Sequence, residues 1–184
     1  MISTLIKTLT ASGDSSLSFV DGTSDVVLDS TYDEYMFVFT DIGPATDNVK
    51  FVFQGNVASG SGYNETMTTT AFNAYHSEHT SGEETALGYQ AADDQAQGTA
   101  FQSLGWELGN GADESCAGIL HLFTPSNTTY VTHFYARTHM YNYHNLARQG
   151  FVAGYFNLTG AIDEIQFKMS SGNFDGVIQL YGIA

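Results

Sequence analysis

Six histidines, twenty carboxylates and a single thiol are the groups in this chain best suited to hold a metal or move a proton. His76 and His79 form an H-x-x-H pair with Glu78, Glu83 and Glu84 close by, a ligand set that suits Zn²⁺ or Ni²⁺. That spacing serves one face of a helix, whereas this pair sits where a strand runs into a loop. The reading is therefore a solvated polar loop that holds no metal, with His76 and His79 as its candidate ligands. The acidic turns at Asp21 to Asp25 and at Asp93-Asp94 offer hard oxygen ligands for Ca²⁺ without EF-hand spacing. His133 and His139 lie on one face of a predicted strand but roughly 20 Å apart at ~3.3 Å per residue, too far for a shared metal. With Arg137 on the same face they read as interface groups, able to pair with carboxylates across a subunit boundary in a pH-sensitive way.

Covalent chemistry has little to work with. Cys116 opens an apolar strand and reads as a small buried hydrophobe. The chain has no G-x-S-x-G elbow, P-loop or dinucleotide-binding glycine fingerprint. The adjacent acids Asp93-Asp94 and Asp113-Glu114 would point to opposite faces of a strand, so they read as turns rather than a glycosidase pair. The expectation is a non-enzymatic protein with no catalytic residue and no cofactor. Tyr63, Tyr75, Tyr89, Trp106, Tyr141 and Tyr143 fall at strand ends or in loops, where aromatics can stack on sugars or fill a protein interface. The interface candidates are Glu83, Glu84, Asp93, Asp94, Trp106, His133, Arg137, His139, Tyr141 and Tyr143.

The elements that must position these groups are strands. Alternation of β-branched and aromatic residues runs through the chain, punctuated by 19 glycines and only two prolines. Strands are predicted at Ile2 to Leu9, Ser16 to Val20, Val26 to Leu28, Glu34 to Ile42 (stopped by Pro44), Asn48 to Gln54 and Thr69 to His76. Further strands follow at Thr99 to Leu108, Cys116 to Thr124, Thr129 to Tyr141, Gln149 to Asn157, Ile162 to Met169 and Gly176 to Ile183, the last two as a hairpin. Glu34 to Ile42 is apolar on both faces, as in a buried central strand. The stretch from Gly55 to Thr66 reads as a turn region. Ser77 to Gly98 is the longest polar tract, with room for a short strand at Leu87 to Gln90; a loop of that length is usually functional. Turns every 8–12 residues point to an all-β, antiparallel two-sheet sandwich forming one domain over residues 1–184.

Composition removes several function classes. Twenty acids against five bases give a formal charge of −15, which argues against nucleic acid and against anionic membrane surfaces. No apolar run approaches the ~18 residues of a membrane span. The opening MISTLIKTLTASG has no apolar stretch long enough for a signal peptide, so Met1 reads as the start of an unsecreted product.

Four segments carry a resemblance: FVDGTSDVVLDSTYDEYMFVF, ADESCAGILHLFTPSNTTYVTHFYA, FVAGYFNLTGAIDEIQF and SSGNFDGVIQLYGI. They resemble virion structural proteins of tailed bacteriophages, especially marine ones that infect cyanobacteria. The C-terminal pair matches at Ile162, Ile165, Phe167, Met169, Gly172, Asn173, Phe174, Gly176, Ile178, Leu180, Tyr181 and Gly182, and the likeness extends over about residues 5–183. The resemblance implies a jelly roll, a homotrimer, and a place in the virion after synthesis in the host cytoplasm. The expected role is a capsid decoration or cement subunit in contact with the major capsid protein or other virion proteins. The alternative is a receptor- or carbohydrate-binding module of a tail fibre or other appendage, with a host-surface glycan as ligand.

Overall fold

The computed structural model describes residues 2–184; Met1, read above as the start of the product, lies outside them. The chain forms β1 (Ser3–Asp14), β2 (Ser16–Val20), β3 (Glu34–Pro44), β4 (Val49–Val57), β5 (Met67–Ser77), β6 (Thr85–Tyr89) and β7 (Ala96–Gly98). It continues with β8 (Gln102–Leu108), β9 (Cys116–Phe123), β10 (His133–Tyr141), β11 (Leu146–Phe156), β12 (Ile162–Met169) and β13 (Phe174–Ile183). A single 3₁₀ turn, Ala91–Asp93, is the helical content of the described residues. All strand pairing is antiparallel, in a nine-stranded and a four-stranded sheet that pack as a sandwich.

The pairing is nested. β1 pairs with β13, β2 with β12, β3 with β9 and β4 with β8, and successive pairs alternate between the two sheets. Contacts between β13 and β3, and between β12 and β4, set these pairs side by side. A chain folded back on itself as one long hairpin and then rolled gives this order, which is the jelly roll. Two insertions depart from it. The hairpin β10–β11 and the segment β5–β6–β7 add to the larger sheet beyond β9, in the order β10-β11-β5-β6, with β7 also on β5.

The two sheets are joined by rings. Phe19, Phe51, Phe53 and Phe167 from the smaller sheet meet Phe37 and Phe39 of β3, all buried. Phe167 lies with its ring centroid 5.2 Å from both Phe37 and Phe39, 5.9 Å from Phe51 and 6.2 Å from Phe53. Such contacts add to the transfer of apolar area from water.

Several sequence expectations change in the folded chain. β12 and β13 do not form a hairpin: they lie in different sheets and face one another across the core. The link between them turns at Gly172 (φ +76°), where a Cβ would meet Thr46 Oγ1 at 2.2 Å. β3 runs past Ile42 and ends at Pro44, which pairs with Phe174 of β13 beyond the point where the register with β9 has ended. Val26 and Leu28 are buried but form no strand, their loop being closed by Leu28 N–H donating to Asp21 Oδ1 at 2.7 Å. β4 runs through to Val57, inside the expected turn region. β10 begins at His133 rather than Thr129.

The Ser77 to Gly98 tract is also more ordered than its composition suggests. β6 pairs with β5, and the rest is tied down by polar groups of the same chain. Thr69 Oγ1 donates to Gln102 Oε1 (2.7 Å) and accepts from Gln95 N–H (2.8 Å), while Gln102 Nε2 donates to the Asp93 carbonyl (3.0 Å). Asp93 pairs with Lys50 at 2.6 Å. Among its residues only 78–84, Gln90 and 94–95 stay outside any element.

Candidate functional site

Alternation decides what the extended sheet shows on its two sides. Inward positions of β9, β10 and β11 are buried and mostly apolar, among them Leu120, Leu122, Phe134, Ala136, Met140, Val152 and Phe156. The outward positions are also rich in rings, but no second layer of the described residues covers them. One cross-strand row runs Ile119–Arg137–Phe151–Phe72–Tyr89, and the next runs His121–Tyr135–Ala153–Thr70. Phe72 and Tyr135 are each 43% exposed, and Tyr89 and Leu87 at the sheet edge are 63% and 76% exposed.

The rings are stacked on each other rather than free. Phe72 and Phe151 lie nearly parallel at 4.7 Å, and His121 stacks on Tyr135 at 4.6 Å. Between them the surface sinks into two hollows of about 270 and 450 Å³ that share Thr70, Tyr135 and Ala153. The small residues of the floor make the depression, and the aromatic side chains make its walls. His133 and Tyr155 close one end.

The electrostatics of this face differ from those of the chain. β5, β6, β9, β10 and β11 hold no Asp or Glu, although the chain has twenty. Glu34, on the neighbouring β3, is tied to His121. Arg137 projects from the middle of the face, with its guanidinium 5.6 Å from the centre of the Phe151 ring. With the Gln149 amide turned to present its oxygen, that oxygen accepts from Arg137 Nη2 at 2.9 Å. Arg137 has no carboxylate partner among the described residues. It is therefore a held, permanently charged donor with hydrogen-bonding capacity to spare.

The structure brings together some of the residues singled out from sequence. Arg137, His133 and His139 are exposed on this one face, as the spacing predicts. Glu83 and Glu84 are exposed in the loop beyond its edge, where Glu84 N–H donates to Ser77 Oγ at 2.9 Å. Tyr141 hydroxyl meets Glu78 Oε1 and Asn145 Oδ1, each at 3.0 Å, and Tyr143 is 36% exposed in the β10–β11 turn. Asp94 accepts from the Tyr89 hydroxyl.

Others are removed from the surface. Trp106 is 2% exposed beneath β11 and cannot serve as an interface or sugar-stacking residue. It packs there because position 150 is glycine: a Cβ at Gly150 would come within 2.4 Å of its ring. Asp93 is likewise unavailable, its side chain being 7% exposed and engaged by Lys50 and by the Ser103 hydroxyl at 2.8 Å. Arg148, the other arginine, is 7% exposed, paired with Glu107, and packed against Trp106 and Tyr75.

His76 sits at the end of β5 with Nδ1 2.5 Å from the Ser77 carbonyl oxygen. Neither it nor His79 belongs to a cluster of three or more metal-ligating side chains among the described residues. Cys116 is fully buried, and burial pushes its thiol up to about 12. No helix among the described residues is long and apolar enough to cross a membrane.

Sequence reading missed Phe72, Phe151, Phe123, His121 and Tyr135. The signal was present in T-H-F-Y-A-R-T-H-M, where every second residue from His133 to His139 is an aromatic or cationic group on one face. What it lacked was the partner strands, since Phe72 and Phe151 are 79 positions apart in the chain and meet only through the β5–β11 register. No protein-family model matches this sequence, and no curated protein matches it.

Proposed function

We propose that this chain is a non-enzymatic structural subunit of a tailed-phage particle, a decoration subunit on the head, that attaches through the outer face of its extended sheet. The observation that carries the reading is that uncovered face, with its stacked rings, Phe72 and Tyr135 half open to water and not one acid on five strands. An apolar patch with this composition suits a protein interface: aromatics and arginine are enriched there and acids depleted. The nested jelly roll and the sequence resemblance support the particle context. One feature favours a second reading, a glycan-binding module on an appendage: the trough is floored by threonines and alanine and walled by aromatic rings, an arrangement on which sugar rings can stack.

Gold-labelled antibody raised against the purified chain tests both, on particles of the phage whose genome encodes it. Label spread densely over the head is the expected result. A few grains confined to the tail tip or fibres would favour the glycan reading, to be followed by glycan-array binding. Unlabelled particles from a lysate that contains the chain would overturn both.

A further inference from the structure

We propose that the outer face receives the 78–84 loop of a second copy of this chain, with Arg137 bound by Glu83 and Glu84 of its neighbour, and that this contact repeats edge to face around a closed ring. The inference rests on reading the outer face as a docking surface and names its occupant.

Charge complementarity carries it. Arg137 is fixed by Gln149 and Phe151 yet has no carboxylate among the described residues, in a chain where acids outnumber bases twenty to five. His133 and His139 flank it along β10, both exposed. The loop at the far edge has the opposite character. Glu83 and Glu84 are exposed and form no ion pair among the described residues. β6 follows at once, with Leu87 and Tyr89 exposed and nothing paired along its outer edge. The loop therefore presents carboxylates next to apolar side chains, and the face presents a cation beside an aromatic trough.

The two halves cannot meet within one chain. From Arg137 the register passes through Phe151 and Phe72 to Tyr89, three strand spacings away, and the loop starts five residues further along β5 at Ser77. At ~4.8 Å per strand and ~3.3 Å per residue, the separation is on the order of 20 Å. A twofold dimer with its axis at Arg137 is disfavoured: it would set Arg137 and the histidines against their own copies, with no acid on the five strands between them. Edge-to-face contact pairs unlike charges, and used head to tail, with one neighbour's loop on each face, it closes as a ring where the rotation between copies completes a turn. Three is the smallest such ring, about 60 kDa at 19.9 kDa per chain.

Sedimentation of the purified chain at tens of micromolar, with variants, tests the contact. The wild type is expected to sediment as a ring near 60 kDa. Arg137→Glu, and separately the double change Glu83→Arg with Glu84→Arg, should each shift dissociation to at least tenfold higher concentration. A chain carrying all three changes should assemble again. All three positions are exposed, and an unchanged circular dichroism melt of each variant's monomer checks the fold. If one variant misfolds, the other still reads the contact.

A monomeric or dimeric wild type would overturn the proposal. So would a ring that survives Arg137→Glu, or a folded chain with all three changes that fails to assemble. These outcomes are independent of particle labelling. A monomer that still decorates heads sinks the ring alone, and an intact ring absent from particles sinks the particle role alone.

Discussion

Replacing Phe167 by alanine should be among the most destabilising single changes in this protein. Its ring is fully buried at the meeting of the two sheets, with five aromatic neighbours at centroid distances from 5.2 to 6.3 Å. Truncation removes the transfer energy of the ring and leaves a cavity bounded by both sheets, which cannot close without moving β3 toward β12. Phe→Ala in such settings costs about 3–5 kcal/mol. For a domain of this size each kcal/mol lowers Tm by about 2–4 °C, so a drop of roughly 6–20 °C is expected. The assay is thermal and urea unfolding at one fixed protein concentration, because any self-association makes Tm concentration-dependent. Gln166→Ala, one residue earlier and outward on the same strand, removes only a hydrogen bond to Ser18 Oγ (2.9 Å) and should stay within about 1 kcal/mol of wild type. Equal effects from the two changes, or a loss below about 1 kcal/mol for Phe167→Ala, would refute the idea that this ring joins the sheets.

Three further outcomes follow from single contacts. Gly150→Ala should cost about 1–3 kcal/mol, because its Cβ would collide with Trp106 at 2.4 Å; a melt like wild type would show that the indole has room to move. Cys116 should resist a thiol reagent in the native protein at about pH 8 and react fully in denaturant, since its thiol is pushed up to about 12 by burial; fast native labelling would contradict this. Burial, and then the Glu164 charge, raise Asp163 above its ordinary 3.8, so native-state stability is lost as pH rises through that raised value. Asp163→Asn should therefore raise Tm at neutral pH, with the gain shrinking as pH falls toward 3.8; a gain independent of pH would sink the titration argument.

The strands were readable because their signal is local. Alternation alone marked Ser16–Val20 and Ile162–Met169 to the residue. Which sheet a strand joins was not readable, and β12 and β13 show why. Two apolar alternating segments with a glycine turn between them satisfy the same pattern whether they pair as neighbours or face each other across a core. The difference lies in their partners, β4 and β3, more than a hundred residues away. The ordering of the 85–98 segment was hidden for a related reason. It depends on Gln102, Thr69 and Lys50, polar residues that look solvated until the fold brings them together.

The candidate face was half legible, and the missing half follows from one physical ambiguity. A strand apolar on both sides reads as covered on both sides, as Glu34 to Ile42 does. In the folded chain Tyr35, Phe37 and Phe39 enter the core, while Met36 and Val38 lie only partly buried on the outer side of the same sheet. The same holds along the extension, where Phe72, Phe151 and Tyr135 continue that outer layer and nothing among the described residues shields it. Apolar outward residues normally make a sheet prone to stick, and proteins blunt that with charge. Here the acids that dominate the rest of the sequence are missing from these strands, and the one arginine among the rings is left without a carboxylate. The double-sided apolar pattern in the sequence is thus a sign of two apolar surfaces, of which the chain itself covers one.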